Sequence, residues 1–229
     1  MNRNRLFMLA GALAVAVVVI ATLVAVGAGK DSKHSVTAPS GTSAHARPFR
    51  GVPQHGDTLG DPAAPVSLTV FEDPQCPFCR DWNVNTLPSV IDEFVRPGKV
   101  KLVFRGINII GPNSEVGLRA IYAAGQQNKL WNVAAGLYAA QGAENSGWIT
   151  DALIRQVAAA AGANAGTVLA DASMRAVTAQ LARAAREADA DGVRGTPTFI
   201  LQRPLAEPVQ LSAPLDAAGF GSALTAALR

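Results

Sequence analysis

The sequence predicts an α/β fold, one mixed sheet with a helical block inserted at its edge, preceded by a single N-terminal transmembrane helix. Three observations predict it. Strand-like stretches lie at 65–71, 99–104 and 198–201, near the two ends of the folding region. The residues between the second and third, about 113–191, carry helical spacing and no strand pattern. An uncharged apolar run extends from Leu6 to Ala28.

Leu6–Ala28 counts 23 residues, enough to cross a bilayer at about 1.5 Å per residue. Arg3 and Arg5 precede it, so the positive-inside rule leaves residues 1–5 in the cytoplasm and everything after Lys30 outside. That describes a single-pass protein of the cell membrane with an extracytoplasmic domain. The alternative is a signal peptide cleaved near Val26-Gly27-Ala28, which would release a secreted domain. No cysteine follows the run, which excludes a lipid anchor on cysteine. Either route leads to a compartment that permits disulfides. Residues 29–52 are small and polar with two prolines, and predict a flexible linker with a reach of roughly 27 Å.

The net charge of +3 is unevenly placed. Residues 1–52 hold six Lys/Arg and one Asp, whereas residues 53–229 hold fourteen Lys/Arg and sixteen Asp/Glu. The basic excess belongs to the N-terminal segment, and the domain at 53–229 carries no charge signature for nucleic acid.

Within that domain the elements follow in order. Pro65–Phe71 alternates β-branched and apolar residues as a strand does. Pro74–Cys79 is a turn running into a helix, in which Pro88 predicts a kink. Pro97-Gly98 turns the chain into a strand at Lys99–Phe104. The block at 113–191 is broken at Gly142–Gly147 and Gly162–Gly166, giving three to five helices. Thr198–Leu201 is a strand, Pro208–Leu211 its candidate hairpin partner, and Ala217–Leu228 a closing helix.

The chain has two cysteines, three apart, in Cys76-Pro77-Phe78-Cys79. A structural disulfide would close too short a loop to restrict the unfolded chain. A structural zinc site needs four ligands, and the three histidines, His34, His45 and His55, lie in or beside the linker, so no metal site is expected. Two buried bystander thiols would rarely take this spacing between a strand and a helix start. A redox dithiol is the remaining reading, and it fits the chemistry. At a helix N-terminus Cys76 meets unpaired backbone N–H groups and the positive end of the helix dipole, which favour the thiolate. Cys79, one turn on, should be more buried and act as the resolving thiol. Pro77 suits the first helical turn, where a missing N–H costs nothing. Gly195-Thr196-Pro197-Thr198-Phe199 adds a proline opening a strand, suggestive of a cis peptide; alone it would read as an ordinary turn-to-strand proline, and it gains weight beside the C-x-x-C pair.

Phe71-Glu72-Asp73-Pro74-Gln75-Cys76-Pro77-Phe78-Cys79, together with Gly195–Phe199, resembles the DsbA-like branch of the thioredoxin superfamily, most closely its membrane-tethered actinobacterial members. The resemblance covers roughly residues 57–229. It implies a thioredoxin fold with an inserted helical domain, Cys76 as the attacked and attacking sulfur, Cys79 as the resolving one, and Pro197 as a cis-proline beside them, with Thr196 offering backbone to a substrate. The chain departs from the best-known oxidases at three positions. Its dipeptide, Pro77-Phe78, lacks a histidine, Thr196 stands where the enterobacterial oxidase has valine, and Val70 stands where a buried acid is usual. Glu72 and Asp73 are the nearby acids; either is a candidate proton acceptor for Cys79, or both are solvated residues at a strand end.

The leading expectation is an exported dithiol oxidase that uses the Cys76–Cys79 disulfide and no other cofactor. It would act on unfolded or cysteine-containing exported proteins. A membrane reoxidase of the DsbB or vitamin K epoxide reductase type would restore it, kept close by the N-terminal tether. A reductase or isomerase is the alternative, the isomerase disfavoured because residues 29–52 are too short for a dimerisation domain. A binding or chaperone module with an idle dithiol is the third.

Overall fold

The computed structural model describes residues 47–229, so the expected transmembrane helix and most of the expected linker lie outside the described residues. Among the described residues no helix is long and apolar enough to cross a membrane.

The sheet is built on two seven-residue strands of the same burial pattern, β3 (Val66–Glu72) and β4 (Val100–Gly106). They pair in parallel from Val66 opposite Val100 to Glu72 opposite Gly106. Their connection, α1, is a continuous helical run made of Pro77–Asp81, Trp82–Thr86, Leu87–Val90 and Ile91–Val95. Pro88 sits inside it. The Leu87 N–H reaches back to the Trp82 carbonyl, so the helix widens into a π-type turn just before the proline. The expected kink is thus a local change of helical winding. Gly98, at φ +72°, then turns the chain into β4.

The helical insertion begins at α2 (Pro112–Gly125) and continues through α3 (Leu130–Ala139), α4 (Asp151–Ala160), α5 (Ala165–Asp171) and α6 (Arg175–Ala190). These five helices match the upper end of the sequence expectation, and no strand intervenes. Two breaks are capped by side chains: Thr150 accepts from the Leu153 N–H, and Asn164 from the Thr167 N–H. The chain then returns as β5 (Thr198–Gln202), which pairs antiparallel with β3, and β6 (Val209–Gln210), its hairpin partner. Helix α7 (Ala217–Ala227) closes the domain.

Two further strands were not legible in the sequence. β1 (Gln54–His55) and β2 (Thr58–Leu59) form a short hairpin that adds to the far edge of β4, giving the order β1-β2-β4-β3-β5-β6. At two residues each they are too short to show alternation. Asp57, in the hairpin turn, pairs with Arg105 at 2.7 Å and with Arg183 of α6, and Arg105 also pairs with Glu187. This ionic latch fixes the short edge to the insertion.

One face of β3, through Val66, Leu68 and Val70, enters the main core with Trp82, Phe94 and Phe220. The other, through Phe71, forms a smaller core with Ala184 and Ala188 of α6. The main core holds an aromatic triad one turn beyond Cys79. Trp82 lies 5.2 Å from Phe199 and 5.9 Å from Phe220, and the two phenylalanines are 4.7 Å apart edge to face. It locks α1 against β5 and α7.

The last residues of the expected linker, 47–52, pack against the domain. Phe49 is 5% exposed and Val52 8%, and the Arg96 guanidinium donates to the carbonyls of Pro48 and Arg50. A short polar stretch with one Phe and one Val resembles linker composition, yet the two apolar side chains suffice to dock it. Phe49→Ala should therefore destabilise the domain by about 3 kcal/mol, read in urea unfolding. A loss below about 0.5 kcal/mol, the range of ordinary surface changes, would return residues 47–52 to the linker.

Candidate active site

The sheet register assembles the site. β3 ends at Glu72, and its antiparallel partner starts with Thr198 opposite Phe71. The chain leaving β3 and the chain entering β5 therefore meet at one end of the sheet, although 120 positions separate Cys76 from Thr196. The Thr196–Pro197 peptide is cis, as the sequence suggested. Its Thr196 carbonyl faces Cys76 Sγ, which donates to it at 3.1 Å.

Cys76 is the N-cap of α1, with extended backbone (φ −71°, ψ 120°) and Pro77 as first helical residue. Both cysteines are free thiols. Cys79 is fully buried and Cys76 4% exposed, in the expected order. The Cys76 thiol is lowered to about 6. The Cys79 thiol that donates to it contributes most, the Thr196 side chain and the backbone N–H groups of Cys79 and Phe78 add to this, and partial burial opposes them. Cys79 is pushed well up by burial, by that same bond and by the nearby Glu72 and Cys76 charges. One sulfur is thus poised to attack or leave as thiolate while the other holds its proton. Phe78 of the dipeptide is 62% exposed beside them.

The two candidate acids separate. Asp73 is a scaffold: its carboxylate accepts from the Ser114 hydroxyl (2.6 Å) and from the backbone N–H groups of Gln75, Ile109 and Ile110. Glu72 is fully buried and lies two residues beyond Val70 on the same side of β3, the side that carries the redox helix. It is thus a buried acid on the face where Val70 carries none. Burial pushes its carboxyl up to about 8, against the Asn83 side chain, which donates to Oε1 at 2.6 Å. The buried Tyr138 hydroxyl faces Glu72 and opposes that rise, and its own proton is held by burial and the Glu72 charge. Asn83 also donates to the Cys79 carbonyl (2.9 Å) and lines a cleft of about 200 Å³ beneath Phe49.

Asn83, Tyr138, Gln75, Ser114 and Gln141 were missed as site residues. Asn83 had a signal, being four residues after Cys79 on one helix and so on its face. Tyr138 and Gln141 come from the insertion and had none.

A groove of about 330 Å³ runs from Phe78 past Thr196 and Pro197 to Phe199, Leu211 and Leu215. Among the described residues no cluster of His, Cys, Asp and Glu could hold a metal ion.

A proton-poor thiol at a helix start, a buried partner thiol and a cis-proline carbonyl against the first define a candidate dithiol redox centre on a thioredoxin fold. A family model described as thioredoxin matches residues 54–215, and the chain belongs to that family. The probable disulfide bond formation protein D of Bacillus anthracis is 35% identical over 103 residues, 44% of this chain and 47% of that protein. The chain thus spans about half the length of that relative. A thioredoxin-like oxidoreductase from Silicibacter pomeroyi DSS-3 superposes with a TM-score of 0.59 at 26% identity, over 74% of this chain and 90% of that one. Oxidised BdbD of Bacillus subtilis superposes at 0.66 with 19% identity, over 77% and 97%, and shows the same fold. The DsbA-like resemblance carried by residues 71–79 and 195–199 is borne out by these likenesses.

In the reduced protein, iodoacetamide should modify Cys76 first, with an apparent pKa near 6, and leave Cys79 largely intact below pH 8. Peptide mapping after a short pulse reads the order. Initial modification at Cys79 would reverse the roles.

Proposed function

We propose that this protein is an extracytoplasmic protein disulfide oxidoreductase that works as a dithiol oxidase on exported proteins. The observation that carries the reading is the split between the two thiols, Cys76 favouring thiolate and Cys79 its proton. A substrate thiolate attacks Cys76 Sγ of the Cys76–Cys79 disulfide. The S–S bond breaks, its electron pair goes to Cys79, and the neutral Glu72 carboxyl beside Cys79 supplies the proton. A second substrate thiolate attacks the substrate sulfur of the mixed disulfide, and Cys76 leaves as thiolate. The substrate is oxidised by two electrons and the protein reduced by two. A thiolate-stabilised Cys76 favours the reduced protein and so makes the disulfide form oxidising.

The groove beside Pro197 suits an extended apolar segment, with the Thr196 backbone as its pairing edge. The apolar Phe78 suits an unfolded chain better than a small thiol donor. The apolar segment at 6–28 would hold the domain at the outer face of the membrane, near a quinone-linked reoxidase of the DsbB or vitamin K epoxide reductase type.

Oxidative refolding of reduced RNase by the purified disulfide form tests activity, and acid-trapping of cells with thiol labelling tests direction. The reading expects catalysed refolding and a pair that is mostly oxidised in cells. A specific observation favours a second reading. The Pro77-Phe78 dipeptide brings no histidine to stabilise the Cys76 thiolate, and for a two-electron couple about 30 mV is a tenfold change in ratio. A pair found mostly reduced, with strong insulin reduction and no refolding, would promote the reductase.

A further inference from the structure

Residues 74–76 are held from outside the thioredoxin unit. Gln141 follows α3 in the insertion, and its single side-chain amide donates twice: to the Pro74 carbonyl at 2.8 Å and to the Cys76 carbonyl at 3.1 Å. Between those carbonyls the Gln75 side chain is fully buried. Its Oε1 accepts from the Asn145 N–H at 2.7 Å, and its Nε2 donates to Ser114 Oγ at 3.0 Å and to Asn145 Oδ1 at 3.3 Å. Asn145 stands at φ +55°, a left-handed conformation that asparagine tolerates better than most residues, and donates to the Ile110 carbonyl at 3.2 Å. The loop between α3 and α4 thus grips the redox loop by its backbone through Gln141 and by a side chain through Asn145. The thioredoxin unit itself supplies the Cys76 N–H bond to the Asp73 carbonyl and the Arg80 N–H bond to the Cys76 carbonyl.

We infer that Gln141 is a positioning residue of the redox centre: by holding the Pro74 and Cys76 carbonyls it fixes the N-cap geometry that sets Cys76 Sγ over the start of α1 and against the Thr196 carbonyl. The inference rests on the reading of Cys76 as the exchanging sulfur. The direction of the Cys76 carbonyl is its ψ angle, and ψ near 120° is what turns the sulfur over the end of α1. Without the Gln141 bonds this peptide plane is freer to rotate, and the place of the sulfur at the start of α1 loosens with it. Gln141 touches no sulfur and acts through the backbone. The helical insertion therefore takes part in setting the reactivity of the dithiol. The titratable neighbours coupled to Cys76 are Cys79, Glu72 and Tyr138, and Gln141 adds no charge to them.

The test compares Gln141→Met and Gln141→Leu, both uncharged, with Gln127→Met in the full-length chain. Gln127 makes a bond pair of the same chemistry, to the Asn164 carbonyl (3.3 Å) and from the Asn164 N–H (2.7 Å), but it ties two loops of the insertion to each other. The readouts are the pH profile of Cys76 alkylation and the equilibrium of the dithiol with glutathione. Both Gln141 variants should raise the Cys76 pKa by about half to one unit, the worth of one loosened hydrogen bond. The thiolate reaction at pH 6 should slow, and the glutathione equilibrium move toward the oxidised protein, each by roughly twofold to fivefold. Gln127→Met should lower stability and move neither readout. Gln141→Leu, smaller at its end and likewise uncharged, serves where Gln141→Met does not fold. Gln141 variants that lose stability yet keep the parental profile and equilibrium would overturn the inference. An unsubstituted protein whose Cys76 titrates near the ordinary value of about 8.5 would instead overturn the reading of Cys76 itself.

Discussion

Cys79→Ala is expected to stop turnover at the mixed disulfide. The variant keeps Cys76 at the helix start, facing Thr196, so attack on a substrate disulfide still forms the Cys76–substrate bond. The thiol that would break that bond from within is gone, and release must wait for an outside thiol. Covalent adducts should accumulate on non-reducing gels and disappear on reduction, while insulin reduction falls on the order of a thousandfold, since the two sulfurs act as one unit. RNase refolding should fall with it, because no internal disulfide can form. The Cys79 thiol is also the largest contribution that lowers the Cys76 pKa, so the same variant should titrate at higher pH. Cys76→Ala should give neither adducts nor activity, its remaining thiol being fully buried with its proton held. Adducts that collect on Cys76→Ala instead would exchange the two roles.

What was legible in the sequence follows from how local each signal is. β3 and β4 alternate over seven residues, and the C-x-x-C pair carries its own helix start, so both could be placed without the fold. Pro197 was readable once the cysteines gave it a partner. The N-terminal hairpin was not, because its strands have two residues each and are held by Arg105 and Arg183 from elsewhere in the chain. The docking of Phe49 was hidden for a similar reason: one aromatic in a polar stretch looks like linker until the cleft beside Leu87 and Pro88 is built. At the site, sequence reasoning offered Glu72 and Asp73 as equals. Only the sheet separates them, by turning Glu72 inward beside the cysteines and giving Asp73 to the hydroxyl and backbone donors of the following loops. The supporting residues from the insertion had no sequence signal, since a glutamine or tyrosine in a helical block says nothing about which distant loop it meets.

Glu72→Gln carries the other large expected effect, and its sign can be worked out. Burial raises the folded-state pKa of Glu72 to about 8, from an ordinary value of 4.5 in the unfolded chain. Between those values the folded protein keeps a proton that the unfolded chain has released. The acid therefore leaves stability intact below about pH 4.5 and removes it progressively as pH rises toward 8, where the loss levels off. In the oxidised protein the cysteines do not titrate, so the effect can be read alone. From pH 5 to pH 7 the parent should lose roughly 3 kcal/mol that Glu72→Gln does not, and the variant should become the more stable protein near neutrality. Urea unfolding of both oxidised proteins at the two pH values measures it. Gln keeps the size of the side chain and an oxygen for the Asn83 amide, so packing is held nearly constant. The function should move the other way. Cys79 loses the group that exchanges protons with it, and disulfide exchange should slow about a hundredfold around neutral pH and lose its inflection near pH 8. A Glu72→Gln protein with the parental pH profile for exchange would remove Glu72 from the proton path, while parallel stability curves from pH 5 to 7 would show that its carboxyl is not held neutral in the fold.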